Sequence, residues 1–361
     1  LKIAGSNWGF PHKLINQLST LWEIKLFKKL TLLCLLIFSC LSFAEEIPQN
    51  TQDSKTKELF TKGQSLIAGG VDGLVNEGKS YVNEKGVGIA KSFLEKYFPT
   101  VELEVNLFDF QHQKSGLLLV LPLSDPNDVK HTLFMQDSIY HSEGSRTTVN
   151  LGLGYRQLEL DNKLLLGVNA FYDHEFPYEN ARTSFGLEAR TTVADVNFNQ
   201  YFSASGWRSG ANDLQEHSLG GTDLEVGLAL PYMPWAKIYA KDFIWYGVDG
   251  ATNIRGNDVS FHGNVPTFPG LSIEAGHRTL MNAAALTSNP STNTIHSDQN
   301  FLKISYNLME MGKPNFSAPL FESEAYSFRS MENHRYDKIR RENLIVKQTR
   351  ASNGTISVLG I

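Results

Sequence analysis

The sequence predicts an all-β fold: a twelve-stranded antiparallel transmembrane β-barrel, preceded by a short helical segment and followed by a pore or linker segment. Three observations predict it. From Val101 to Leu308 apolar residues alternate with small or polar ones, the period of a strand with two different faces. Several of these runs reach the roughly 9–11 residues that a tilted strand needs to cross a bilayer. The region also follows an export signal. A soluble β-sandwich alternates too, but here the better apolar faces carry no charge, and the polar faces mix Gly, Asn and charges of both signs.

Residues 1–23 precede a leader that is complete from Ile24, and no Met occurs before Met135, so this stretch is expected to be a gene-model extension. Residues 24–44 have the parts of a secretory signal peptide. Lys25, Lys28 and Lys29 form the basic region, Leu30 to Phe43 the apolar core, and Ser42-Phe43-Ala44 sets cleavage after Ala44. The core is shorter than the roughly 20 residues of a membrane-spanning helix. Phe38 is bulky for a lipidation site at Cys40. Cys34 and Cys40 are the only cysteines, so cleavage leaves a chain without thiols for an oxidising compartment.

Residues 45–98 begin with a polar stretch, 45–56. Apolar pairs such as Leu59-Phe60, Leu66-Ile67 and Leu74-Val75 then recur every seven or eight residues. That spacing fits a helical face interrupted by glycine. Residues 99–310 hold the strands. In "LLLGVNAFYDHEF" (164–176), Leu164, Leu166, Val168, Ala170 and Tyr172 oppose Leu165, Gly167, Asn169, Phe171 and Asp173. The same alternation marks 150–156, 182–191, 195–199, 223–230, 271–278 and 301–308, and less cleanly 101–110, 115–123, 131–140, 236–246 and 257–263. The runs number twelve, an even count as a closed antiparallel barrel requires. Short turns are expected at 124–128 and 160–162, longer polar loops at 205–221, 247–256 and 287–299. Tyr232, Trp235 and Tyr239 are expected near a turn at the lipid headgroup level. Residues 311–361 lose the alternation until "LIVKQ" and form a charged linker.

The formal charge of −5 on 361 residues advertises no nucleic-acid partner. No HExxH, paired CxxC, GxSxG or phosphate-binding glycine loop is present, so neither an enzyme nor a cofactor is expected. Asp173-His174-Glu175 could suggest metal or acid–base chemistry, but alternation sends neighbours to opposite faces, and a strand-end role is expected. Parity sends Arg156, Asn169, Asp173, Arg182, Glu188, Arg190, Asp195, Glu225, Lys237, Lys241, Glu274, Arg278 and Lys303 to one lumen. There the bland expectation is mutual pairing of buried charge. In the tail, Arg335, Tyr336, Asp337, Arg340, Arg341 and Asn343 belong either to a solvated linker or to a segment held in the pore.

The ordered motifs "TVNLGLGYRQ", "LLLGVNAFYDHEF", "ARTSFGLEART", "NQYFSASGWR" and "LPYMPWAKIYAKDFIWYG" closely resemble the β-domain of the intimin/invasin family, the inverse autotransporters. The resemblance covers about 100 to 310, and "RYDKIRRENLIV" (335–346) resembles the segment that follows the last strand there. It implies a barrel in the outer membrane of a Gram-negative bacterium, with residues 45–98 in the periplasm and the tail threading the pore toward a passenger. Implied partners are outer-membrane lipid and lipopolysaccharide, the barrel assembly machinery, periplasmic chaperones and a host-cell or cell-surface ligand. Neither a passenger domain nor a peptidoglycan-binding module is recognisable within the sequence. The expected function is a non-enzymatic translocator or anchor for surface display, adhesion or invasion. The alternatives are a porin-like channel, or a barrel whose own loops, such as 205–221 and 287–299, bind a surface ligand.

Overall fold

The computed structural model describes residues 98–106, 115–142, 146–281, 298–310, 312–351 and 356–359. Its strands are, in chain order, β1 (Thr100–Asn106), β2 (Ser115–Pro122), β3 (His131–Ser142), β4 (Arg146–Glu159), β5 (Leu164–Phe176), β6 (Asn180–Arg190), β7 (Ala194–Ser203), β8 (Arg208–Ser209), β9 (Leu214–Ser218), β10 (Gly221–Leu230), β11 (Met233–Trp245), β12 (Ile254–Asn264), β13 (Leu271–Leu280), β14 (Asp298–Asn307), β15 (Lys347–Ala351) and β16 (Ile356–Leu359). Twelve of them close into an antiparallel barrel, in which β1 completes the ring by pairing with both β2 and β14. Each of the twelve alternating runs is one of these strands. The leader and the expected helical segment up to 97 lie outside the described residues, as does most of the 287–299 loop. No helix among the described residues is long and apolar enough to cross a membrane.

Strand period produces two unlike surfaces. On β4, β5, β6 and β10 the outward side chains Leu153, Val168, Leu187 and Leu228 are exposed, while Asn150, Asp173, Arg182 and Asp223 beneath them are buried. An apolar outside around a charged inside inverts a soluble protein and suits a lipid solvent. Phe171 breaks the pattern by facing inward. It fits because Gly152 on β4 lies directly across from it, where a Cβ would come within 2.1 Å of the ring.

Asp173-His174-Glu175 lies at the end of β5, which stops at Phe176, with Asp173 and Glu175 inward and His174 outward. One expectation needs correction. Tyr239 does not join a headgroup girdle. It shares the inward face with Lys237, and its hydroxyl donates to Asp195 Oδ2 at 2.7 Å. Tyr232 does sit in the turn between β10 and β11, with φ of 64°.

A second sheet, ordered β16-β15-β9-β8, stands at the end of the barrel away from the short turns. The stretch 205–221, expected as a loop, supplies β8 and β9, and Glu216 of β9 pairs in register with Thr349 of β15. Glu216 reaches into the barrel mouth, where Arg146 Nη2 meets it at 2.5 Å and Asn180 donates to it at 2.9 Å. Burial opposes its ionisation, yet the hydrogen bond from Arg146 and the nearby Lys347 charge hold its carboxyl below the usual range.

Between β14 and β15 the chain makes a lap of the other rim. Asn315 N donates to Thr267 O in the β12–β13 turn, and Glu322 N and Tyr232 N exchange bonds with Tyr232 O and Ala325 O at the β10–β11 turn. Thr192 Oγ1 then donates to Ser327 O at the β6–β7 turn, Met331 N to Asn162 O at the β4–β5 turn, and Arg335 to Asp128 O at the β2–β3 turn. Having visited these turns in order, residues 312–335 form a strap, and the chain enters the lumen beside β1.

Candidate functional site: a charged segment inside the lumen

Beyond the strap, residues 336–346 run through the barrel, bending at Asp337, Arg341 and Leu344. Thr100 of β1 donates to Tyr336 O at the point of entry, 2.8 Å away. At the far mouth Lys347 Nζ meets Glu175 Oε2 at 2.5 Å and β15 begins.

Successive side chains grip opposite walls. Asp337 accepts from Arg190 of β6 at 3.0 Å, while Arg156 of β4 donates to the carbonyls of Arg335 and Asp337 at 2.9 and 2.7 Å. Lys338 turns to β1, pairing with Glu102 and with Glu104. Ile339 turns back, packs with Leu118, Val120, Phe134 and Phe171, and donates its N–H to Gln136 at 2.7 Å. Arg340 crosses again. Its Nε lies 2.5 Å from Glu225 of β10, its Nη2 lies 2.8 Å from Glu274 of β13, and its guanidinium sits 3.8 Å over the Tyr239 ring. Arg341 returns to β5 and forks onto both oxygens of Asp173, at 2.9 and 2.6 Å, with its guanidinium 4.1 Å from the Phe171 ring.

The Asp173 side chain is fully enclosed, as are those of Arg182 and Arg341 that flank it. Arg182 donates to Asp173 at 3.0 Å and to Glu342 O at 2.7 Å, and Asn150 bridges Asp173 and Asn343 O. A carboxylate here without its cations would be strongly destabilising, because neither water nor lipid could solvate it. The wall acids Glu102, Glu104, Asp173, Glu225 and Glu274 thus each take a counter-charge from the segment, and Asp173 a second from Arg182 of the wall. A cavity of about 110 Å³ remains between segment and wall, lined by β10 to β14 residues such as Asp258 and Lys303.

The structure sets the thirteen wall residues singled out from the sequence in three positions. Arg156, Asp173, Arg182, Arg190, Glu225, Glu274 and Arg278 touch the segment, Arg278 through Glu342 at 3.5 Å. Glu188, Asp195, Lys237 and Lys241 pair within the wall, with Arg156, with each other, and with Asp258. Asn169 lies inside beside Gly186, and Lys303 lines the cavity opposite Glu274. In the tail, Arg335 holds the rim, Tyr336 packs against the Ile339 cluster, and Asn343 donates to the Tyr140 hydroxyl at 3.1 Å. Sequence reasoning passed over Glu102 and Glu104. The signal existed in "VELEV", where both glutamates alternate with apolar residues.

Comparison with known proteins agrees with this geometry. A putative attaching and effacing protein homolog of Escherichia coli K12 is 31% identical over 148 residues, 40% of this chain and 48% of that protein. Intimin of Escherichia coli O111:H- is 31% identical over 167 residues, 43% of this chain and 17% of intimin. The chain therefore spans about half the length of the first of these relatives and much less of the second. A solved chain from "Unveiling the Mechanism Behind the in-meso Crystallization of Membrane Proteins" superposes with a TM-score of 0.53 at 23% identity, over 70% of this chain and 100% of that one, and supports the fold alone. The family model "Inverse autotransporter, beta-domain" matches residues 46–343, barrel and luminal segment together. The chain belongs to the inverse autotransporter β-domain family, the intimin-like outer-membrane β-barrel translocator domains of Gram-negative bacteria.

Proposed function

We propose that this barrel is a translocator and surface anchor that keeps its own C-terminal segment in the pore. The observation that carries this reading is the run of ion pairs from Asp337, Lys338, Arg340 and Arg341 to opposite walls. Such a segment both closes the pore and carries the following chain from the short-turn rim, on the periplasmic side, to the cell surface. Export by a leader cleaved after Ala44 and insertion by the barrel assembly machinery with periplasmic chaperones belong to the same reading, as does an outer face in contact with lipopolysaccharide. For the whole protein, the corresponding proposal is display of a passenger for adhesion or invasion, as relatives named for attachment suggest.

Planar-bilayer recording tests it. The intact chain is expected to conduct little, and a chain truncated after Ser330 to open a stable, larger conductance. Equal conductance from both chains would refute the plug, and high conductance from the intact chain would make the protein a porin-like channel.

A further inference from the structure

The lumen takes up Tyr336 and the charges from Asp337 to Arg341, but the other aromatic residues of the tail stay outside. Phe316, Leu320, Phe321, Tyr326 and Phe328 all lie on the strap and all are exposed, Phe316 to 81%. Large apolar side chains exposed along one stretch mark an interaction surface. The stretch is held in place, since backbone hydrogen bonds tie it to the β12–β13 and β10–β11 turns and the Thr192 hydroxyl ties it to the β6–β7 turn.

Two contacts show which surface of the barrel it adjoins. The Trp235 indole donates to Leu320 O at 2.8 Å, and that indole packs edge-on against Phe261 of β12. Phe261 shares its face with Val259, which is exposed on the outer wall. Phe316 packs edge-on against Phe268 of the β12–β13 turn, itself exposed. The strap aromatics thus continue the outer apolar band and do not open onto the lumen.

We propose that the strap is a lipid-binding collar, whose aromatic side chains enter the headgroup–acyl boundary of the periplasmic phospholipid leaflet. Phe and Leu side chains bury themselves at that boundary, Tyr326 adds a polar handle, and nearby charges such as Glu322 paired with Arg329 suit its headgroup side. The shape selects this occupant. The aromatic residues are spread over three successive turns around the circumference, as a bilayer plane would meet them, whereas a protein partner or a second copy would cover one sector. The inference rests on the membrane-barrel reading and not on what the luminal segment does.

The test uses the chain with Cys34→Ser and Cys40→Ser, refolded into phosphatidylethanolamine/phosphatidylglycerol vesicles. Phe321→Cys and Phe328→Cys each carry a small fluorophore, with Leu153→Cys on outward β4 as the lipid reference and Asp161→Cys in the β4–β5 turn as the water reference. Acyl-chain-brominated lipids are expected to quench both strap labels well above the Asp161 label, and iodide to quench them several-fold less than it. Strap labels that behave like the Asp161 label, while the Leu153 label is quenched by lipid, would overturn the collar and leave the barrel standing. A Leu153 label untouched by lipid would overturn both. Strap labels shielded from iodide yet untouched by brominated lipid, with cross-links between copies, would make the strap a protein interface and overturn the collar. A combined Phe316→Ser, Phe321→Ser, Tyr326→Ser, Phe328→Ser variant should keep heat-modifiable gel migration but lose protection of the strap from protease in vesicles. Unchanged protection would count against the collar.

Discussion

The strap and the luminal segment are consecutive stretches of one tail, yet opposite forces hold them. Residues 312–330 cling to the rim through backbone hydrogen bonds and leave their aromatic rings exposed. Residues 336–346 bury their side chains and satisfy them with wall charges. The difference teaches that the surrounding solvent decides the chemistry of each stretch. Next to lipid, an exposed ring is favourable and an exposed charge is not. Inside the pore the wall already carries charge, so a segment that supplies counter-charges is held most firmly.

The contrast can be broken most sharply at Arg341. Arg341→Ala leaves Asp173 enclosed with Arg182 as its one remaining cation, and should destabilise the folded barrel by about 3 kcal/mol, the low end for breaking a buried pair. Guanidinium unfolding of the refolded protein measures it, and a loss below about 1 kcal/mol would mean that the pair is solvated. A smaller effect is expected at the far mouth. The folded-state pKa of Glu216 is depressed, so its contribution is fully present above the unfolded value of about 4.3 and is lost as pH falls through the folded value. Amide exchange of β9 and β15, corrected for intrinsic rates, should rise below about pH 4 while β4 and β5 stay protected. Uniform exchange across all four strands would remove Glu216 from that role. The smallest effect belongs to the strap. Thr192→Val removes the hydroxyl that bonds Ser327 O and Arg329 N, worth about 1 kcal/mol in total. It should loosen protease protection near Ser327 without changing conductance, and a conductance change would show that strap and plug are coupled.

Much of the barrel was legible because a period of two assigns both strand and face in one step. Once Lys237 is inward, Tyr239 must be inward too; the expected girdle position for Tyr239 came from its nearness to Tyr232 and Trp235 and ignored that parity. The acids and bases of the lumen were legible in the same way, but their pairing was not. Arg341 meets Asp173 across 168 residues of chain, and strand stagger, which no local pattern encodes, decides which wall charge stands at its height. The strands β8 and β9 escaped notice for a related reason. "LQEHS" has little apolar alternation, because its partner is β15, which reaches it only after passing through the pore. The lap around the rim left no trace in periodicity, since it is built from backbone bonds to turns.

The alternating grip of the luminal segment also has a mechanical consequence. Lys338 and Arg340 hold the β1, β10 and β13 side, while Ile339 and Arg341 hold the β2 to β5 side. Tension applied beyond Ala351 therefore meets first the pairing of β15 with β9 and then contacts on both sides of the lumen. The lateral components of the two sides oppose each other, so the pull does not tilt the segment against one wall. What transmits force to the membrane is then the whole circumference of the barrel.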